Sequence, residues 1–318
     1  MSKLDEIRNR LKKDAESGSV LDKYSATKKV DAVKPQSKDA GASGVAFSDL
    51  EDDAPIILQA HKRAIFIGNN EYDQNPLSKC VNDARSMQHV FSKIGYRLVY
   101  DFDINSEKMH KLFERFKSDI EEGDELLIYF SGHGAQVNSE IYLTPVDSPK
   151  NIPLAFSSHF INLDKEMDEM LACGAKMVVA IVDACRNQTR IDYQNLGQAA
   201  YDQGVEDALN MIQETGQNKK STQNEVFSEI SPELLKSKGK AILFASSHGT
   251  YSYDNWRGPE LPNGVFTHFF LKEVVKPGRT ITEVIERVRG LVSEYTDGQQ
   301  VPAFHNNLPG DYYFINQS

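Results

Sequence analysis

Apolar residues are distributed along this chain in two alternating patterns. Short continuous runs, Arg63-Ala64-Ile65-Phe66-Ile67, Glu125 to Phe130, Met177 to Val182 and Ala241 to Ala245, have the length of strands buried on both faces. Between them, apolar residues recur every three or four positions, as on one face of a helix. One such segment carries Val81, Ala84, Val90, Phe91 and Ile94; another, Ser106 to Ile120, carries Met109, Leu112, Phe113, Phe116 and Ile120. Leu163 to Cys173 and Val265 to Val275 read as further helices. Thr280 with Glu283 is a capping box that opens a last one, with Ile281, Val284, Ile285, Val288 and Leu291 on its apolar face. Tyr96 to Phe102 alternates as a second strand. Ile141 to Val146 reads as a short extended arm, because Pro145 has no N–H for a central ladder. Tyr312-Tyr313-Phe314-Ile315 reads as the last strand. Strands separated by helices at this spacing predict an α/β fold, a parallel sheet with helices on both faces.

Two stretches lack the pattern. In residues 1–60, Leu4, Ile7 and Leu11 fit one face of a short helix, and few apolar residues follow. Such a composition buries too little surface to offset the entropy of ordering. A flexible N-terminal extension is therefore expected over 1–60, with the folded domain over 61–318. From Gln188 to Lys238 the pattern dissolves again, apart from a short helix at Tyr201 to Met211. About fifty patternless residues within a domain are unusual, and generally functional or disordered.

Composition narrows the class. With 40% hydrophobic and 26% charged residues, the chain is an ordinary globular one. A net charge of −10 argues against general binding to nucleic acid or an anionic membrane. No apolar run approaches the ~18 residues of a membrane span, and the charged stretch from Met1 to Lys13 lacks the apolar core of a secretory signal. The three cysteines, Cys80, Cys173 and Cys185, include no C-x-x-C pair, so a zinc or dithiol site is not expected. Their spacing suits a reducing compartment, and a cytoplasmic location is expected.

The chemistry concentrates at two strand ends. Cys185 follows the run ending at Val182, and His133, between Gly132 and Gly134, follows the run ending at Phe130. Ligands of open α/β sheets bind at strand ends, and sequential strands of a parallel sheet tend to be neighbours. A cysteine and an imidazole placed side by side can act as nucleophile and base. The amides of Gly134 and Cys185 are candidate donors to a tetrahedral oxyanion. Taken singly, the Cys reads as a small buried hydrophobe and the His-Gly turn as a loop; a second His-Gly pair, His248-Gly249, also follows a strand. The pairing is what carries information.

These residues belong to a longer series of markers. Ile67-Gly68-Asn69 is followed by Val81-Asn82-Asp83-Ala84, then Tyr129-Phe130-Ser131-Gly132-His133-Gly134, Pro145-Val146-Asp147, Val182-Asp183-Ala184-Cys185-Arg186 and Asn263-Gly264-Val265-Phe266-Thr267. In this order they resemble the caspase-like cysteine peptidases, over about residues 62–316. Caspases likewise place the His about 50 residues before the Cys. The resemblance implies a three-layer sandwich with a six-stranded sheet, five strands parallel and one antiparallel, and His133 and Cys185 as the catalytic dyad. It places residues 188–238 as the linker between large and small subunits, and it suggests either a monomer or a homodimer formed through the last strand.

The motifs are more like those of paracaspases, metacaspases and related prokaryotic proteins than of true caspases. Asp183 stands where a caspase has glutamine, Ser252-Tyr253-Asp254 where it has Ser-Trp-Arg, and Asp83 is acidic as in paracaspases and metacaspases. If Asp83, Asp183 and Asp254 converge, the site selects Arg or Lys before the scissile bond. A buried, hydrogen-bonded charge pair of this kind is worth roughly 2–5 kcal/mol, a selectivity of about 30- to several-thousand-fold. A basic specificity makes Arg190, Lys219, Lys220 and Lys238 candidate self-cleavage points. No metal ligands are assigned. Calcium activation is not favoured, because Asp164, Glu166, Asp168 and Glu169 look like the polar start and face of a helix. The competing readings are a non-catalytic interaction module on the same fold and a thiol hydrolase acting on non-peptide amides.

Overall fold

The continuous apolar runs form the middle of one sheet. The structure is a computed structural model, and it describes residues 58–73, 75–137, 140–148, 158–185, 238–247, 252–257 and 260–316, with Gln136, Val137 and Cys185 described through the backbone alone. The strands are β1 (Lys62–Gly68), β2 (Arg97–Phe102), β3 (Glu125–Val137), β4 (Glu140–Leu143), β5 (Ile161–Asn162), β6 (Met177–Cys185), β7 (Lys240–Phe244) and β8 (Ala303–Asn307). The helices are α1 (Cys80–Lys93), α2 (Ser106–Ser118), α3 (Leu163–Ala172), α4 (Val265–Val274) and α5 (Ile281–Tyr295).

The main sheet runs β2-β1-β3-β6-β7-β8. Its first five strands are mutually parallel, and β8 is antiparallel to β7. Alternate residues of a strand face opposite sides, and both sides are covered. Leu127, Tyr129, Val179 and Ile181 pack with Phe91, Phe266, Phe270 and Val288 from α1, α4 and α5. Ile128, Phe130, Val178 and Ala180 pack with Phe113, Phe116, Met167 and Met170 from α2 and α3. The three-layer sandwich with five parallel strands and one antiparallel is therefore present. The capping box at Thr280 and Glu283 also forms. Among the described residues, no helix is long and apolar enough to cross a membrane.

Two expectations need correction. Tyr312-Tyr313-Phe314-Ile315 is not a strand of the sheet; the sixth strand is β8. Tyr312 and Phe314 are fully buried in the helical layer, where the Tyr312 hydroxyl meets that of Tyr96 at 3.0 Å and Phe314 packs edge-on against Phe91 and Phe270. Buried Lys62 donates to the Tyr313 carbonyl at 2.6 Å and lies 4.0 Å from the Tyr312 ring centroid. The segment was apolar because it anchors the C-terminal chain, whereas β8, Ala-Phe-His-Asn-Asn, has an edge strand's mixed polarity and gave no signal. Among the described residues, β8 is the outermost strand on that side of the sheet. The other correction concerns β3 and β6, which continue past Phe130 and Val182. Gly132 to Gly134 lie within β3, whose far half pairs antiparallel with β4.

The N-terminal extension lies outside the described residues except for 58–60. Gln59, assigned to it from the sequence, is tied into the domain by its amide, which donates to the carbonyls of Ile94 and Phe314. Of the linker only Lys238 is described, and the short helices near Leu4 and Tyr201 are not.

β1 ends where α1 presses against it. A Cβ on Gly68 would lie 2.4 Å from the Cys80 carbonyl oxygen and 2.7 Å from the Ala84 Cβ. Backbone cannot rotate away as a side chain can. Gly68→Ala is expected to destabilise the domain by about 1–3 kcal/mol or more. The urea midpoint should fall at unchanged m; an unchanged midpoint would mean that α1 slides freely.

Candidate active site

The sheet's carboxyl edge collects the residues singled out in the sequence. After β1 the chain goes one way to β2, and β3 lies on the other side, so the strand order reverses at β1/β3. Such a reversal opens a crevice between strand ends. β3 pairs with β6 from Glu125↔Met177 through Ser131↔Asp183 to His133↔Cys185. His133 and Cys185 are therefore register partners on neighbouring strands, which lie about 4.8 Å apart.

His133 is held by the loop between β1 and α1. Its Nε2 lies 2.7 Å from the backbone carbonyl of Asn75. A carbonyl only accepts, so Nε2 carries a proton and Nδ1 is left for proton exchange. Asn75 is in the left-handed region, φ 53°, which turns its carbonyl toward the imidazole. The loop is pinned at its base. Asp103 accepts from the amides of Asn70 and Glu71 at 2.6 and 2.9 Å, and buried Asn69 accepts from the Ile104 amide and donates to the Thr144 carbonyl. Gly134 follows in β3. Because the His133 carbonyl faces β4, the alternation of the strand turns the Gly134 amide to the β6 side.

The carboxylates lie beside this pair. Asp183, two residues before Cys185, is buried; it accepts from Ser252 Oγ at 2.9 Å and from Thr267 Oγ1 at 2.7 Å. Thr267 in turn accepts from the buried Tyr129 hydroxyl. Asp83, in the first turn of α1, is buried too, and its Oδ1 accepts from Asn263 Nδ2 at 2.8 Å and the Gly264 amide at 3.0 Å. Exposed Asp254 accepts from Ser78 Oγ at 2.9 Å. Neither Asp83 nor Asp183 meets a Lys, Arg or His side chain among the described residues. Burial therefore raises both. Asp183 is pushed up to about 6, with the Thr267 and Ser252 hydroxyls pulling down and the Asp254 charge pushing up. Asp83 is raised well above the ordinary carboxylate range, first by burial and then by the Asp183 charge. The Asp254 charge acts on both buried carboxylates.

Other expected residues fall elsewhere. Lys238 is exposed just before β7, and Arg190, Lys219 and Lys220 lie outside the described residues, as does His248. Asp164 and Asp168 hold buried Lys240 at 2.7 and 2.9 Å, and Glu166 and Glu169 hold Lys117 at 3.0 and 2.5 Å, which accounts for that acidic stretch. Among the described residues no group of three or more His, Cys, Asp or Glu is placed to hold a metal ion. Residue-by-residue reading had not singled out Tyr72, Asn75 or Thr267. Asn75 acts through its carbonyl, which no side chain announces. Thr267 and Asn263 stood inside a marker without a role until the fold brought them to Asp183 and Asp83.

Comparison with known proteins places this architecture. A Caspase domain family profile matches residues 61–313. Human mucosa-associated lymphoid tissue lymphoma translocation protein 1 is 24% identical over 42% of this chain, and metacaspase-5 of Trypanosoma cruzi is 27% identical over 41%. The matches span only 16% and 33% of those two proteins. Among solved structures, caspase-1 of Spodoptera frugiperda superposes with a TM-score of 0.51 at 15% identity, covering 86% of this chain and 98% of that one. A Geobacter sulfurreducens protein superposes with a TM-score of 0.50 at 18% identity, over 80% and 97%. With the profile spanning most of the chain and the sandwich in place, the protein belongs to the caspase domain family of peptidases.

Proposed function

We propose that this protein is a cysteine endopeptidase that cleaves after Arg or Lys, with Cys185 as nucleophile and His133 as base. The observation that carries the reading is a pair of buried carboxylates, Asp83 and Asp183, without a cationic partner among the described residues, beside the register pair His133↔Cys185. Two buried carboxylates raise each other's energy until a cation arrives. A guanidinium or ammonium supplies that cation, and an acidic side chain makes the site worse.

The chemistry follows from the positions. His133 Nδ1 takes the Cys185 thiol proton while Nε2 stays bonded to the Asn75 carbonyl. The thiolate attacks the backbone carbonyl carbon of the bound basic residue itself. The amides of Gly134 and Cys185 receive the oxyanion. The imidazolium then protonates the departing amine, leaving an acyl-enzyme. Water, deprotonated by His133, hydrolyses the thioester and restores the thiol. No step calls for calcium or another cofactor. The substrates are proteins or peptides with an exposed basic residue, and the same specificity makes Arg190, Lys219, Lys220 and Lys238 self-cleavage points. A cytoplasmic location, and either a monomer or a homodimer formed through the last strand, are part of the reading.

Peptide reporters ending in Arg, Lys, Asp or citrulline test it. Arg and Lys reporters are expected to be turned over at least ~30-fold faster than the Asp reporter. Cys185→Ala is expected to turn over none and to keep its chain whole. Preference for Asp, or activity surviving in Cys185→Ala, overturns the reading.

A further inference from the structure

His133 sits where β3 exchanges one partner for another. On one side of β3, the Asn69 amide donates to the Ser131 carbonyl as the last step beside β1. Two residues on, the Thr144 amide donates to the His133 carbonyl as the first step beside β4. Residues two apart in a strand direct their backbone groups to the same side. The His133 N–H therefore falls into the gap between β1 and β4, where neither strand offers a carbonyl. A buried donor left unpaired costs about 1–3 kcal/mol, and the chain around it is free to tilt.

Two side-chain hydroxyls close this gap. Tyr72 Oη accepts from the His133 N–H at 2.9 Å and donates to the Thr144 carbonyl at 3.0 Å. Thr144 Oγ1 donates to the His133 carbonyl at 2.6 Å. Both backbone groups of His133 are thus held by hydroxyls. The Tyr72 ring also lies against the imidazole, with centroids 4.4 Å apart and planes at 55°.

Tyr72 is 6% exposed although Glu71, Asp73 and Asn75 around it are exposed. Such a residue anchors its loop, and this loop carries the Asn75 carbonyl to Nε2. Burial raises the phenol, so the hydroxyl keeps its proton and its donor role. Gly132 makes the approach possible, since a Cβ there would lie 2.4 Å from Tyr72 Oη.

We propose that Tyr72 and Thr144 are positioning residues, a hydroxyl clamp that fixes the His133 backbone and, through the Tyr72 loop, the Asn75 carbonyl that orients the imidazole. The assignment rests on His133 being the base. The clamp acts through His133, so its loss displaces the imidazole without altering the carboxylates that bind the basic side chain. A misplacement of about 1 Å can cost on the order of a hundredfold in rate.

The test measures kcat per active site with an Arg reporter, the sites being counted by titration with an irreversible basic-peptide inhibitor. Counting sites removes any loss that comes merely from misfolded protein. Tyr72→Phe, which keeps the ring and removes the hydroxyl, is expected to lower kcat per site by 10- to 100-fold with KM within about twofold. Thr144→Val is expected to fall in the same way, and Thr144→Ser, which restores a hydroxyl, to recover most of the rate. This second pair decides the matter if Tyr72→Phe does not fold. Wild-type kcat per site in Tyr72→Phe or in Thr144→Val, beside an inactive His133→Ala, overturns the clamp while leaving the dyad standing. Activity retained by His133→Ala overturns the dyad and the clamp with it.

Discussion

Asp183→Asn is expected to lose most activity toward Arg reporters and to gain stability at the same time. Removing one carboxylate from a buried ionic contact costs roughly 2–5 kcal/mol of transition-state binding, so kcat/KM should fall by about 30- to several-thousand-fold. The stability gain follows from the titration. The folded-state value of about 6 lies above the ordinary 3.8 of the unfolded chain, so the folded state holds this proton more tightly. Stability is therefore undiminished below about pH 4, declines as pH rises between about 4 and 6, and above that window is lower by about 3 kcal/mol. Asparagine carries no charge and escapes this penalty. The Ser252 and Thr267 hydroxyls can rotate to meet its amide. Urea unfolding at pH 8 and pH 4 checks the prediction: the variant should be the more stable at pH 8, with the advantage gone at pH 4. A variant that is less stable at pH 8 yet cleaves Arg reporters normally would remove Asp183 from the specificity site. Strain of this kind is what a binding site retains when its ligand supplies the missing charge.

The sandwich was legible because its central strands are short apolar runs and its helices have apolar faces in the 3.6-residue period. Both patterns survive burial on two sides. What was lost lay at the edges. β8 was missed because an edge strand needs only half an apolar face, and Phe304 alternating with His305 and Asn306 does not announce one. Tyr312 and Phe314 misled because aromatic anchors and strands share composition. The sequence Ser131-Gly132-His133-Gly134 has a loop's composition, since glycines usually end strands, yet it continues β3; here Gly132 gives way to Tyr72 Oη. Within the candidate site, the residues proposed to carry chemistry on their side chains stand out in the sequence: His133, Cys185, Asp83 and Asp183. The residues that act by holding them do not. Asn75 contributes a carbonyl, Tyr72 a hydroxyl from a polar loop, and Thr267 a donor from a helix distant in sequence. A supporting role of this kind is a property of the fold, and one-dimensional spacing does not record it.

Selectivity for a basic over a neutral side chain is expected to collapse on acidification, and the comparison that isolates this effect is Arg against citrulline. Citrulline has the shape of Arg with a neutral urea in place of the guanidinium. Whatever acidification does to the dyad affects both reporters alike and cancels in the ratio of their kcat/KM values. What remains is the ionisation of the carboxylates proposed to meet the guanidinium. In the free enzyme Asp183 titrates near 6 and Asp83 is raised well above the ordinary range, each chiefly through burial. A bound guanidinium favours their ionised forms, so the preference is fully present above the free-enzyme values and is lost as pH falls through them. The Arg:citrulline ratio should level off only on the alkaline side of both free-enzyme values. It should drop about tenfold per unit below 6 for one ionising carboxylate, steepening toward a hundredfold per unit where both must ionise. In Asp183→Asn the ratio should start lower and fall with the slope of a single group. A ratio that stays level down to pH 5 would show that neither buried carboxylate meets the substrate cation, and the basic specificity would then need another source.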